Sequence, residues 1–350
     1  MIPLLRTSFL LALSLQALLA TSAPTLAATA ASLEREPAFR DNFYDVEIRG
    51  PLCWIVGYYG TILHSKDRGL TWEIQRGGTQ DALFRVVFLT DKTGWISGSY
   101  GTILHTEDGG RNWRIQPTPT QEQLFGLDFV DARVGWAAGS RGAVLNTEDG
   151  GASWNSRSVG DDVILNDVHF INAKRGWLVG EFGRIYHTRD GGRTWLKQKS
   201  PVEVSFVSGE SRNLFRLLFS HSGGGWAFGL DGVILRTRNG DNWETIRQDG
   251  ALPGALKPRH LFSASSFRNE KWAVGERGAV LVAPLGDDRW APARLKTSPA
   301  TLNGIAFSDD GFGVIVGNRG TILRTGDGGK QWNALRIAIT APGRGAVTPP

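Results

Sequence analysis

The chain has 350 residues, 21% of them charged and 41% hydrophobic, a balance that excludes both a disordered chain and a membrane-embedded one. Its 45 glycines and 13 tryptophans favour many tight turns between short aromatic strands, and its single cysteine excludes an internal disulfide framework and a cysteine-based zinc site. The net charge of +5 comes from scattered basic residues, which does not argue for a nucleic-acid partner.

In chain order, the first predicted element is a targeting segment. Arg6 supplies a positive start, residues 8–20 an apolar stretch shorter than a membrane span, and Ala28-Thr29-Ala30 a small-residue cleavage site, with Thr25-Leu26-Ala27 the second choice. Residues 1–30 read as a signal peptide, the alternative being an uncleaved anchor, and 31–41 as an N-terminal linker. No other stretch is apolar enough to span a bilayer. The expectation is an exported protein, periplasmic or secreted, with no direct membrane insertion after cleavage.

From residue 42 the sequence repeats. One unit reads Gly94-Trp95-Ile96-Ser97-Gly98, then Gly101-Thr102-Ile103-Leu104-His105-Thr106-Glu107-Asp108-Gly109-Gly110, then Trp113. Its second glycine recurs at Gly60, Gly101, Gly142, Gly183, Gly232, Gly278 and Gly320, at intervals of 41 to 49 residues. The leading tryptophan falls at 54, 95, 136, 177, 226 and 272, with Val314 in the seventh unit; the trailing one falls at 72, 113, 154, 195, 243, 290 and 332. These positions use all 13 tryptophans. Each unit opens with an apolar run such as Leu83-Phe84-Arg85-Val86-Val87-Phe88, followed by a Trp strand, a G-x-I-L strand and a strand at the trailing Trp. Four strands per period of this length mark a propeller blade. The fold class predicted is all-β: a seven-bladed β-propeller of four-stranded antiparallel blades over 42–339, with 340–350 a disordered tail. The pattern does not say how the ring closes.

Between the third and fourth strands lies a turn of pattern S/T-x-D-x-G-x-x-W, the Asp box, at residues 65–72, 106–113, 147–154, 188–195 and 325–332. Asp67, Asp108, Asp149, Asp190 and Asp327 are expected to accept bonds from turn N–H groups, with glycine taking the positive φ. The fifth unit has Asn239 instead and one residue fewer, and the sixth has lost the box. Acidic turns also suggest calcium or catalytic carboxylates, but these sit on separate blades, so they read as scaffold.

The full unit, G-W-x-x-G-x-x-G-x-I-L-H-T-x-D-G-G-x-x-W, resembles the photosystem II stability and assembly factor family over nearly all of residues 42–339. That resemblance implies an exported, non-enzymatic propeller of bacterial-neuraminidase-type repeats. In phototrophs such proteins hold a newly made reaction-centre subunit on the lumenal side through a basic surface. For this chain it implies a protein partner, an integral membrane subunit or complex, and a thylakoid-lumen location if the organism is a phototroph.

The rival reading is a glycoside hydrolase or a carbohydrate-binding propeller, because sialidases also carry Asp boxes. A sialidase needs an arginine triad, normally with an R-I-P motif, and a tyrosine nucleophile; R-I-P is absent and there are five tyrosines. Asp45, Glu47, Asp128 and Asp167, on the innermost strands, are the carboxylates left for hydrolysis. They read instead as channel-lining charges balanced by Arg85 and Arg216. His64, His105 and His187 occupy one repeat position on blades one, two and four, so they diverge and cannot share an ion. His169, His221 and His260 form no ligand-spaced pair, and no nucleophile elbow, P-loop or dinucleotide fingerprint is present. No catalytic residue, metal or cofactor is expected.

Chain direction places the turn between strands two and three on the same face as the blade-to-blade linkers, opposite the Asp boxes. The residue before each second glycine lies there: Tyr59, Tyr100, Arg141, Phe182, Asp231, Arg277 and Arg319. Aromatic and arginine side chains are enriched at binding hot spots, though they also suit the covering of blade edges or the stacking of sugars. Trailing-to-leading Trp spacing is 23 residues at the first three junctions, then 31 from Trp195 to Trp226 and 29 from Trp243 to Trp272. The two insertions bring Lys197, Lys199, Arg212, Lys257 and Arg259, against Glu203, Glu210 and Asp249, to this linker face. They read either as part of a binding face or as tolerated loop growth.

Overall fold

The computed structural model describes residues 42–205, 212–220, 223–246, 259–293, 295 and 300–335, and the backbone of 339–340. The signal peptide of 1–30, the linker of 31–41, the tail from 341, and His221, Glu210, Asp249 and Lys257 lie outside them. Among the described residues the strands form seven sheets, each built in chain order from four antiparallel strands. Blade one spans 43–75, and the others span 83–115, 124–158, 165–198, 214–245, 261–292 and 302–334. The first strands of successive blades lie against one another all round, that of blade seven against that of blade one, and enclose a central channel.

Closure comes from the chain's return. Ile339–Thr340 pairs parallel to Trp72–Gln75 as a fifth strand outside blade one, with Ile339 opposite Trp72 and Thr340 opposite Glu73. The strand pairing therefore extends one residue past 339, and Thr340 does not belong to the tail. A two-residue parallel pairing has no alternation to reveal it.

The junctions that follow the first four blades share most of their parts. The leading Trp is sandwiched: Trp54 lies 3.7 Å from the Phe88 ring and 4.9 Å from His64, and Trp95 lies 3.8 Å from Phe129 and 4.8 Å from His105. Its indole N–H crosses to the next blade's turn, Trp54 to Gly109 O at 3.1 Å, Trp95 to Gly150 O at 2.9 Å and Trp136 to Gly191 O at 2.9 Å. Gln75, Gln116 and Gln198 donate to the same kind of carbonyl and accept from the following trailing Trp. These side chains fill seven buried clusters that stitch blade to blade around the ring.

Candidate partner-binding face and channel

The turns of the linker face have an unusual backbone. Tyr58-Tyr59-Gly60-Thr61 is a type I′ turn, with Tyr59 at φ 56°, Gly60 at φ 68° and Thr61 N–H donating to Tyr58 O. The second glycine is obligatory, because a Cβ on Gly60 would stand 2.1 Å from Thr79 O and one on Gly101 2.1 Å from Thr120 O, both in the linker to the next blade. The residue before it is left-handed on every blade: Tyr100 at 53°, Arg141 at 54°, Phe182 at 58°, Asp231 at 54°, Arg277 at 52° and Arg319 at 59°. Type I′ turns favour Asn, Asp or Gly at that position. Asp231 alone obeys.

Tyr100 is 68% exposed, and the Arg141 and Arg277 side chains are 76% and 70% exposed, with Glu122 3.8 Å from Arg141 and Glu276 3.4 Å from Arg277. Arg319 is exposed as well. Phe182 differs: it is half-buried against the core of its blade, with Arg184 over its ring. The described ends of the insertions meet these turns. Val204 N–H donates to Phe182 O, Arg212 lies 3.7 Å from Asp231, and Arg259 donates to Arg277 O at 2.7 Å. Lys197 pairs with Glu203, and Lys199 is exposed.

Inside this ring lies a second set of residues that strand periodicity does not reveal. Every first strand carries a β-bulge at its second residue: pairing runs from Phe43 to Asp45, Leu83 to Arg85 and Leu214 to Arg216, skipping the residue between, and likewise in the other four blades. The bulged residues are Tyr44, Phe84, Phe125, Asn166, Phe215, Phe262 and Asn303. Bulges re-aim side chains. Here they set an aromatic collar at the channel's linker-face mouth, with ring centroids 5.7 Å apart for Tyr44–Phe84, 4.9 Å for Phe84–Phe125 and 5.0 Å for Phe215–Phe262. The recurring Leu-Phe at 83–84, 124–125, 214–215 and 261–262 is its trace in the sequence.

Below the collar the channel is charged. Arg85 lies 3.6 Å from Asp45 and 3.9 Å from Asp167, and Arg216 lies 4.0 Å from Asp167, so the sequence-expected balance of lining charges has a geometry. The carboxylates also staple blades, each accepting a backbone N–H of the next first strand: Asp45 from Val86, Asp128 from Phe170 and Asp167 from Leu217. Burial pushes Glu47 and Asp167 up to about 7 and holds His169, 3.4 Å from Asp128, below its ordinary range.

On the opposite face each Asp-box carboxylate is tied up within its own turn. Asp149 accepts from the Ser153 hydroxyl and N–H and from Thr147. Asp67, Asp108 and Asp190 are bonded in the same way, and Asp327 accepts from the Thr325 hydroxyl and the Gln331 N–H. Asn239 still caps the shortened turn of blade five. His64, His105 and His187 lie on separate leading tryptophans, and no group of three metal-ligating side chains converges among the described residues. No helix among these residues is long and apolar enough to cross a membrane.

Against known proteins, the profile described as photosynthesis system II assembly factor YCF48 matches residues 31–117, 111–163 and 158–283. The chain belongs to the YCF48 family. A curated YCF48 relative, the photosystem II assembly protein Ycf48 of Synechococcus sp. (strain JA-3-3Ab), is 30% identical over 116 residues. That match spans about a third of each chain, 33% of this one and 34% of the relative. A solved YCF48 bound to a D1 peptide superposes with a TM-score of 0.64 at 22% identity, over 81% of this chain and 91% of that one. YCF48 from Cyanidioschyzon merolae gives 0.64 at 17% identity, over 82% and 97%. An ancestral GH74 enzyme gives 0.66 at 14% identity, over 85% of this chain and 46% of that one. Likeness at these identities speaks to the fold, which YCF48 proteins share with some glycosidases.

Proposed function

We propose that this chain is an exported, non-enzymatic YCF48-type propeller that holds a subunit of a membrane protein complex during assembly, in the periplasm or, in a phototroph, the thylakoid lumen. Residues 1–30 would be removed on export, and the linker face would meet the client. One observation carries the reading: six blades place Tyr, Arg or Phe in a left-handed turn position that other residues fill at less cost, all on one face. Such side chains are the types that dominate binding energy, and local rules are broken where function requires it. Tyr59, Tyr100, Arg141, Phe182, Arg277 and Arg319 form the ring, with Lys197, Lys199, Arg212, Lys257 and Arg259 as its basic extension over blades four to six. The peptide bound by the solved YCF48 relative supports a polypeptide as the class of ligand.

The test is crosslinking capture from detergent-solubilised membranes with the chain starting at Ala31. One enriched integral membrane protein is expected, with capture falling about tenfold when Arg141, Arg277 and Arg319 are changed together to Glu, and weakening likewise on reversal at Lys197, Lys199 and Arg259. Capture unchanged by both variants would remove the binding face. Turnover of a glycan that Asp128→Asn abolishes would replace the proposal with the glycosidase reading.

A further inference from the structure

We propose that the linker-face mouth of the channel is a receptor for one lysine or arginine side chain of a partner polypeptide, its stem lying among the collar rings and its charge met by Asp128. This deepens the client-binding reading and rests on it.

The collar is not explained by the fold. None of Tyr44, Phe84, Phe125, Phe215 and Phe262 belongs to the buried clusters, and each is only partly covered. The other two bulges show what the architecture alone needs. Asn166 donates to Leu214 O at 2.9 Å and Asn303 to Phe43 O at 2.8 Å, each tying its blade to the next. An aromatic ring makes no such bond. Five blades thus give up a staple for apolar surface at a mouth open to water, on the face that carries the other exposed aromatics, Tyr58 at 46%, Tyr59 at 36% and Tyr100 at 68%.

Charge selects the occupant. Facing the channel are Asp45, Glu47 and Arg49 from blade one, Arg85 from blade two, Asp128 from blade three, Asp167 and His169 from blade four, and Arg216 from blade five; the first strands of blades six and seven bring only Ser263, Ser265, Gly304 and Ala306. Arg85 and Arg216 answer Asp45 and Asp167, and Arg49 lies 3.1 Å from Glu47. Among the described residues Asp128 has no guanidinium within 4 Å: it accepts the Phe170 N–H and lies beside His169, whose burial disfavours a charge, and it shares Arg85 with Asp45 and Asp167. Once Glu47 and Asp167 have ionised, the four carboxylates Asp45, Glu47, Asp128 and Asp167 outnumber the guanidiniums of Arg49, Arg85 and Arg216 by one, and the carboxylate without a close guanidinium is on the blade whose collar ring is Phe125. Aromatic faces attract cations, and only lysine and arginine join an apolar stem to a cationic head. The rim outside carries Arg141, Arg277 and Arg319, so acidic residues flanking the basic one would complete the match. A sugar fits less well, because neighbouring rings are tilted onto one another by 40° to 53° and offer no flat open platform.

The experiment uses fluorescent peptides of frame Ac-Gly-Glu-Asp-Ser-X-Ser-Asp-Glu-Gly-amide, with X lysine, norleucine or glutamate, read by anisotropy. The lysine peptide should bind at least tenfold tighter than the other two, and its affinity should rise between pH 6 and pH 8 as Glu47 and Asp167, both raised to about 7 by burial, ionise. The double variant Phe84→Asn/Phe125→Asn introduces the residue two blades already carry at this bulge, so the ring is retained; it should cost the lysine peptide about tenfold, as should Asp128→Asn. The rim variant at Arg141, Arg277 and Arg319 should instead weaken all three peptides alike. Equal binding of norleucine, tighter binding of glutamate at the Arg85 guanidinium, displacement by a xyloglucan oligosaccharide, or no binding at millimolar peptide would each overturn the proposal. Membrane-client capture that survives the collar variant but not the rim variant would sink this inference and leave the assembly function standing.

Discussion

A single torsion angle separates the linker-face ring from ordinary hairpin turns. For an L-residue the left-handed region crowds Cβ against the following carbonyl, at a cost of about 1–2 kcal/mol, which Asn and Asp offset by local hydrogen bonding. Tyr100 recovers little of that cost by burial, since it is 68% exposed at φ 53°. Tyr100→Asn is therefore expected to stabilise the propeller by about 0.5–1 kcal/mol, read as a higher urea midpoint at unchanged slope, while weakening capture of the client. A midpoint that stays put or falls would mean the turn is relaxed with tyrosine, and the argument from strain to binding would go with it.

Blade six shows what happens when a repeated element is lost. Without an Asp box, the Trp226 indole has no glycine carbonyl to reach and donates instead to Asp288 at 3.0 Å. Lys271, wholly buried, lies 4.1 Å over the Trp226 ring and 5.4 Å from Trp290, bonding Asp288 at 3.0 Å and Asp287 O at 2.8 Å, while Arg236 pairs with Asp288 from the other side. A buried ion pair has replaced a turn. Asp288→Ala strands the Lys271 ammonium and should cost about 3–5 kcal/mol, whereas adding Lys271→Met to it should restore most of the loss, because a thioether fills the slot between the indoles without a charge. Thermal melts of the single and double variants decide it: no rescue would mean Lys271 contributes by more than answering Asp288. The same contrast shows what the sequence could reveal. Trp and Gly recur at intervals of 41 to 49 residues because most junctions reuse one geometry, so blades and turns were legible. Lys271 was not, since a lysine beside a strand tryptophan reads as solvent-facing. The collar was not either, because an extra residue at a strand start passes for the start of the apolar run, and only pairing register exposes the bulge.

Over the whole ring, buried acids and buried imidazoles pull the pH dependence of stability in opposite directions. Burial raises Asp45, and lifts Glu47 and Asp167 to about 7, so between roughly pH 4 and 7 the folded state holds protons that the unfolded chain releases, and these groups lose stability as pH rises. Burial lowers His64, His105 and His169, and His187 to about 4, so here the unfolded chain binds the extra protons and stability is lost as pH falls below about 6.5. The two sets offset each other, and a nearly flat melting temperature is expected from pH 7 down to about 5. Below pH 4 the Asp boxes join the imidazoles. Hydrogen bonds from Ser153 hold Asp149 at about 2, and those from Thr194, outweighing desolvation, do the same for Asp190, so stability falls as pH drops through that range. Asp167→Asn separates the opposed sets. The asparagine is neutral at every pH, so the variant is spared the cost that ionised Asp167 brings at pH 8 and gains nothing at pH 5, where the wild-type group is already protonated. Its stability relative to wild type should therefore be higher at pH 8 than at pH 5 by about 3 kcal/mol, or about 5 °C in melting temperature. A difference that does not change with pH would mean that Arg85 and Arg216 keep Asp167 ionised throughout, leaving Glu47 to change the channel's charge across that range.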